Sequence, residues 1–335
     1  DCTAKVDGDY RLYVEQITGA THIQALFIAR EATFTLDGLH FLIPDLKGDE
    51  AVLVGAEDME DTDVPAEVEY RMRQWPVTMV SDRCFEGNAN LRTLHIPSSV
   101  FSVGNNLFDG CQHLAAITWE AQTPPTTAVM GTLSNPNLLL YATDTENVPE
   151  AIVNVIDLRS LTAEHIVLSD TENMGDFYCP TAFTAREVSY SHEYDQQTQT
   201  DTCQGWESIV LPFDVQTFTH ETQGEIFPFA TLLDEYIIYD GDKPFWLCRY
   251  TEEGQFVEAE GIEANVPYIL SMPNDSNLWE PYKLNGRVTF SATNVTVEAT
   301  EEAAGVSDGS KALVPNYRHG EARPNCYLLN VGDAY

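Results

Sequence analysis

A small set of hydroxyl, imidazole and carboxylate side chains recurs at alternate positions of two short apolar segments. Together with one alanine, the set comprises Thr93, His95, Ala116, Thr118 and Glu120. Alternation of this kind is typical of a β-strand, on which every second side chain points to the same face. Because these groups exchange hydrogen bonds and carry charge, we predict that Thr93, His95, Thr118 and Glu120 form a binding face. An ordinary solvated sheet face is the alternative.

Motifs that are typical of enzymes are missing from the sequence. It contains no His-Glu-x-x-His, no Gly-x-Ser-x-Gly nucleophile elbow and no glycine-rich phosphate loop. His192 and Glu193, with Asp195 nearby, stand in a polar segment that predicts a surface hairpin loop. The 53 acidic residues ensure chance pairs of carboxylates, so no single pair indicates glycoside hydrolysis. We therefore predict that the chain is not an enzyme and has no catalytic residue.

Metal binding has only weak signals. Asp58–Asp63 and Asp240–Asp242 place several carboxylates at short spacing, and calcium prefers oxygen ligands. Neither segment follows the EF-hand loop, and solvated acidic turns have the same composition. The seven cysteines stand singly, without the paired spacing of a zinc site. We predict no metal site and no cofactor, and leave calcium binding by the acidic loops open.

Tryptophan residues suggest carbohydrate binding as a second possibility. Trp246 lies in a predicted strand and Trp279 in a loop-like segment, and an exposed indole ring can stack on a sugar. Packing in the core or at a sheet edge is the alternative for both. Trp206 shares a predicted strand with Ile209 and Leu211, so we assign it to the core.

The strongly acidic composition excludes several classes of partner. The chain has 53 acidic and 17 basic residues and a net charge of −36. Duplex DNA, RNA and anionic lipid all require clusters of Lys and Arg that this sequence lacks. No apolar run of about 18 residues occurs, so we predict no membrane span.

The candidate binding residues belong to an internal repeat. Residues 80–96 and 103–119 are two copies of one unit, offset by 23 positions, with matching residues at Val80/Val103, Phe85/Phe108, Gly87/Gly110, Leu91/Leu114, Leu94/Ile117 and Ile96/Trp119. A unit this short cannot bury its own apolar face and must stack on its neighbours. The repeat therefore predicts a short solenoid, with the two phenylalanines in contact inside it. Cys84 and Cys111 fall at buried positions of the repeat.

The chain divides into two predicted domains. Residues 1–168 contain a strand-rich cap, an acidic solvated loop at 57–63 and the repeats. From Phe177 onward, short alternating segments separated by turn signals favour a β-sandwich for residues 169–335. The predicted fold class is thus mainly β: a short leucine-rich-repeat solenoid followed by a β-sandwich domain.

Residues Val68 to Val100 and the segment Phe108-Asp-Gly-Cys-Gln-His-Leu114 resemble the BspA-like bacterial leucine-rich repeat, whose signature is Phe-x-Gly-Cys-x-x-Leu. Gly205–Asp214 and Ala264–Leu270 resemble a β-domain found beside such repeats in secreted or surface proteins of gut bacteria. The family has no catalytic residues to transfer. This chain departs from it in having only two clean repeats, where long arrays are common.

The resemblance implies an exported cell-surface protein with a non-enzymatic role in recognition or adhesion. Its expected partner is a host or bacterial surface protein or a glycan, and its expected location is extracellular or on the outer surface. Export would use a signal peptide absent from this chain, and a lipid anchor is possible. The alternative function is that of a carbohydrate-binding module or an accessory protein of a glycoside hydrolase.

Overall fold

The structure is a computed structural model that describes residues 4–6, 12–14, 31–169, 176–197, 205–232, 243–274 and 283–318. The fold is mainly β, as the sequence predicts. Within these ranges, no helix has both the length and the apolar character needed to cross a membrane.

The strands of the first half are short and closely spaced. They are β1 (Ala4–Val6), β2 (Leu12–Val14), β3 (Ala32–Leu36), β4 (Leu39–Ile43), β5 (Ala51–Ala56), β6 (Asp61–Asp63), β7 (Glu67–Tyr70), β8 (Arg73–Val80), β9 (Thr93–Ile96), β10 (Ser102–Val103), β11 (Ala116–Trp119), β12 (Leu139–Ala142), β13 (Asn154–Asp157) and β14 (Thr162–Ser169). One short helix, α1 (Thr127–Met130), lies between β11 and β12.

Strands β6, β9, β11, β12 and β13 form a parallel ladder. Thr93 pairs with Ala116, and Ala116 pairs with Leu139, so two successive steps of the ladder have the same offset of 23 residues. Strand β12 therefore belongs to a third copy of the repeat. The sequence interpretation recognised only two copies and was wrong about the extent of the array.

Phenylalanine side chains from successive copies of the repeat stack on one another. A second sheet, in the order β10-β8-β5-β4-β3, lies across the core from the ladder. Between the two sheets, Phe85 and Phe108 are 1% and 0% exposed, and their ring centroids lie 6.1 Å apart with the planes inclined by 16°. The predicted contact between successive rungs is confirmed.

Glycine is required where successive turns touch. Gly87 and Gly110 have φ angles of 77° and 86°, in the left-handed region that side chains disfavour. A Cβ atom added to Gly110 would lie 3.2 Å from the Cα atom of Gly87, so the two turns stack backbone on backbone.

Equivalent side chains also link each rung to the chain before it. The Nδ2 atom of Asn88 donates to the carbonyl of Glu57 at 3.0 Å, and the Sγ atom of Cys111 donates to the carbonyl of Phe85 at 3.1 Å. Both side chains are buried, so each of these hydrogen bonds satisfies a polar group that water cannot reach. Cys111 is a free thiol and so is Cys84, which is also buried.

The second half continues in the same sheet. Its strands are β15 (Phe183–Tyr194), β16 (Glu207–Ile209), β17 (Thr217–His220), β18 (Gly224–Pro228), β19 (Pro244–Tyr250), β20 (Phe256–Glu258), β21 (Tyr268–Ser271), β22 (Gly286–Val297), β23 (Val306–Ser307) and β24 (Ala312–Leu313), with single turns of 3-10 helix at Phe229–Leu232 and Thr300–Glu302. The hydrogen-bonded path runs β16-β21-β19-β18-β17-β22-β15-β14 and then along the ladder to β6.

Two apolar cores lie along this path. The first includes residues of the ladder and of the sheet that contains β8, and the second includes residues of β14, β15, β22, β19 and β21. Strand β14 pairs in parallel with β15 from Thr162 to Ser169, so the sheet is continuous across residue 168. The division into domains 1–168 and 169–335, and the β-sandwich within the second, stay predictions.

The polar segment around His192 is not a hairpin loop. His192 and Glu193 lie within β15, where they pair with Val288 and Arg287 of β22. The Nε2 atom of His192 lies 2.7 Å from Oε2 of Glu207. The strand continues through His192 and Glu193 and ends at Tyr194.

Removal of either stacked phenylalanine should destabilise the chain strongly. We expect Phe85→Ala or Phe108→Ala to lower the free energy of unfolding by about 3–5 kcal/mol, because each leaves a cavity between rungs. Phe101→Ala is the control, since Phe101 is 51% exposed; its cost should stay below about 1 kcal/mol. Urea titration followed by circular dichroism measures all three. Equal losses in the Phe85 and Phe101 variants would contradict the stacked core.

The buried cysteines should resist alkylation. Burial raises the pKa of Cys84 to about 12, and burial is also the main cause that raises the pKa of Cys111 to about 12. At pH 8 the reactive thiolate is therefore scarce at both positions in the folded chain. We expect iodoacetamide to spare both thiols in the native chain and to modify both in urea, as peptide mass spectrometry would show. Labelling of either thiol at its denatured rate in the native chain would contradict this packing.

Candidate functional site

The four predicted binding residues lie together on one surface. Thr93 and His95 point away from the core on β9, and Thr118 stands beside His95 on β11. Glu120 follows β11 and is held by its backbone N–H, which donates to the carbonyl of Ile96 at 2.9 Å. We call this surface, formed by the outward side chains of β6, β9 and β11 and by Glu120, the ladder face.

His95 lies between two carboxylates at the centre of the ladder face. Its Nδ1 atom is 2.7 Å from Oδ1 of Asp63, and its Nε2 atom is 3.8 Å from Oε1 of Glu120. The side chains of His95 and Glu120 are each 35% exposed, and that of Asp63 is 81% exposed. The row presents hydrogen-bond acceptors and negative charge to solvent.

Asp61 and Asp63 are site residues that sequence reasoning missed. The acidic segment 57–63 was predicted to be a solvated loop, but Asp61–Asp63 is strand β6, the first rung of the ladder. Thr62 is the inward residue of this strand and is 5% exposed. A three-residue strand with threonine inside lacks the apolar alternation that reveals β9 and β11, which explains the error. The only available signal was the alternation Asp-Thr-Asp itself.

A cluster of charged groups borders the ladder face beside Asp61. The hydroxyl of Thr93 donates to Oδ1 of Asp61 at 2.8 Å. The guanidinium of Arg92 lies 3.3 Å from Asp61 and 3.5 Å from Glu60, and it sits 4.1 Å from the centroid of the Tyr178 ring. Arg92 thus links the ladder to the start of the second half, and burial of Tyr178 is the main cause that raises the pKa of its phenol.

The outward side of the ladder is covered beyond β11. Leu139, Tyr141 and Ile156 are 0%, 1% and 0% exposed because the second core packs on them. The Tyr141 hydroxyl donates to the carbonyl of Thr181 at 2.8 Å. The predicted candidate Ala116 is buried as well, at 2% exposure. The outward side of the ladder is therefore accessible to solvent only at its β6 and β9 end. Thr118 and Glu120 lie where this accessible part meets the covered part.

The carboxylates of segment 58–63 are directed at separate partners. Asp58 accepts from the backbone and side chain of Asn90, while Asp61 and Asp63 face Thr93 and His95. In the described part of the chain, no group of three or more His, Cys, Asp or Glu side chains is placed to hold a metal ion. The second predicted acidic segment, Asp240–Asp242, lies outside the described residues.

The tryptophans differ in exposure. Trp75 and Trp119 are each 2% exposed and belong to the first core. Trp246 is only partly buried, and so is Trp206, which the sequence interpretation wrongly assigned to the core. Their ring centroids lie 6.3 Å apart. Trp279 lies outside the described residues.

No protein-family model and no curated protein matches the chain. Three solved structures are similar to parts of it. A leucine-rich repeat protein from Bacteroides capillosus has 18% identity over 33% of this chain and 97% of that one, with a TM-score of 0.26. A leucine rich cell surface protein from Faecalibacterium prausnitzii has 19% identity over 48% and 42%, with a TM-score of 0.24. A leucine-rich repeat protein from Bacteroides ovatus has 15% identity over 40% and 35%, with a TM-score of 0.30.

Proposed function

We propose that this chain is a non-enzymatic recognition protein whose ladder face binds a protein partner rich in lysine and arginine. The observation that carries the proposal is the row formed by Asp63, His95 and Glu120. Asp63 is exposed, His95 and Glu120 are partly exposed, and strand pairing places Asp63 beside His95. Exported to the extracellular space or the outer surface, the chain would use this row in recognition or adhesion.

The charge on the ladder face supports a cationic partner. Asp61 and Asp63 are 54% and 81% exposed, so Lys or Arg side chains of a partner can reach both carboxylates. The net charge of −36 adds a long-range attraction that speeds encounter with a basic surface and repels acidic ones. Rigid strands keep the acceptors in place, which lowers the entropy lost on binding.

The setting of His95 favours binding over catalysis. A histidine that bonds a carboxylate is an arrangement that also serves general bases. Here, however, Asp63 at 81% exposure is open to water, whereas catalytic electrostatics depends on excluding water. We therefore propose that the His95–Asp63 pair positions the binding row and takes no part in a reaction.

Glycan binding is the second candidate function. What favours it is the partial exposure of Trp206, just before β16, and of Trp246 on β19. Both strands are remote in the sheet order from the ladder face. The two functions would use different surfaces and are compatible with one another.

A binding screen tests the proposal. The purified chain is passed over immobilised basic matrix proteins and, for comparison, acidic serum albumin, with binding followed by surface plasmon resonance. We expect binding to at least one basic protein. We expect this binding to weaken as salt rises from 50 to 500 mM, because salt ions screen the attraction between opposite charges.

Matched variants assign the binding to the ladder face. Asp63→Asn with Glu120→Gln removes two charges from the row and should weaken binding about tenfold or more. Asp49→Asn with Glu150→Gln removes two charges from exposed positions outside the ladder strands and should change binding less than twofold. Equal losses in the two double variants, or no binding to any basic protein, would contradict the proposal.

A further inference from the structure

One side of the sheet around β19 is aromatic and faces away from the second core. Strands β16, β21, β19 and β20 are neighbours in that order. Leu247 and Leu270 pair in register and are 2% and 0% exposed within the core. Because side chains alternate along a strand, Trp246 and its partner Ser271 lie on the opposite side.

Three aromatic rings adjoin one another on this outer side. The Trp246 ring centroid lies 6.3 Å from that of Trp206 and 5.4 Å from that of Phe229. The planes of Trp206 and Phe229 are inclined by 35° and 33° to the plane of Trp246. All three side chains are partly exposed. We call the surface formed by Trp206, Trp246 and Phe229 the aromatic face.

Polar groups flank the aromatic face. Ser208 of β16 pairs with Ile269, which pairs with Cys248, so Ser208 lies on the Trp246 side of the sheet, and it is exposed. Glu258 is also exposed, and it pairs with Cys248, which follows Trp246 by two residues on β19. A hydroxyl and a carboxylate therefore stand beside the rings.

The combination matches the chemistry of a sugar. A hexopyranose ring has an apolar face of C–H groups, which packs on aromatic rings, and an edge of hydroxyls, which bond to polar side chains. The net charge of −36 disfavours anionic glycans, nucleic acids and lipids.

The size of the aromatic face argues against a protein partner there. The three aromatic side chains are each only partly exposed, so together they offer a small apolar surface. A stable protein interface buries about 800 Å² on each partner. The surface is thus suited to one or two sugar rings and is too small to serve as a protein interface by itself.

We propose that the aromatic face is a binding site for a neutral carbohydrate, whose pyranose rings stack on Trp206 and Trp246 with Phe229 extending the surface. This site rests on the glycan-binding function proposed above as the second candidate. It is separate from the ladder face and does not depend on protein binding there.

Titration with defined oligosaccharides tests this site. The full chain is titrated with cellohexaose, mannohexaose, maltohexaose and xylohexaose, and binding is followed by calorimetry and by tryptophan fluorescence. We expect at least one of these neutral sugars to bind and to shift the fluorescence, and we expect anionic oligogalacturonate not to bind. If none of the four neutral sugars binds at millimolar concentration, the proposal is wrong.

Variants assign the binding to the rings. Trp246→Ala should weaken sugar binding at least tenfold, whereas Trp246→Phe, which keeps an aromatic ring, should recover most of the affinity and shows that the fold tolerates substitution there. Phe101→Ala removes a half-exposed ring in the first half and should leave the affinity unchanged. Wild-type affinity in Trp246→Ala, with the thermal midpoint unchanged, would overturn the assignment.

Discussion

Contact between successive rungs is the interaction on which the rest of this structure depends. One repeat of 23 residues has too few neighbours of its own to bury Phe85 or Phe108, and the two rings become buried only against each other and the adjacent rungs. That contact fixes how successive turns align, and it brings the backbone of Gly110 against that of Gly87. The register in turn sets which side chains of β6, β9 and β11 become neighbours on the ladder face.

The second half shapes the ladder face by covering the rest of the ladder. The outward residues Leu139 and Tyr141 are apolar or aromatic and lie inside the second core, whereas the outward residues of β6 and β9 are polar and open to solvent. The same surface of one sheet thus serves as a packing interface at one end and as a candidate recognition surface at the other. Arg92 and Tyr178 meet at the border between the two.

Sequence reasoning recovered the two copies of the repeat that match closely and missed the third, which has diverged. The copies at 80–96 and 103–119 share large apolar residues, so their stacking and the grouping of the candidate binding residues followed from the pattern. The third copy was not recognised because Gly131 and Asn137 occupy the repeat positions held by Phe108 and Leu114 in the second copy. Val129 and Met130 of α1 help fill the core there instead.

Strand β6 and the partial exposure of Trp206 had no signal in the neighbouring sequence. Strand β6 is identified only by its partner β9, which lies 32 residues along the chain, and pairing at that distance is decided by tertiary contacts. The partial exposure of Trp206 depends on its position just before the edge strand β16 and on its contact with Trp246, forty residues away. The apolar residues that follow Trp206 led instead to the prediction that Trp206 lies in the core.

Native-state hydrogen exchange is the most direct test of the stacked ladder. If the strands of the ladder stabilise one another, β9, β11 and β12 open together. Their backbone amides then exchange with one common free energy of opening, close to the free energy of global unfolding. Opening of β11 at a much lower free energy than β9 and β12, which flank it, would contradict the account, because a rung between two stacked neighbours cannot open alone.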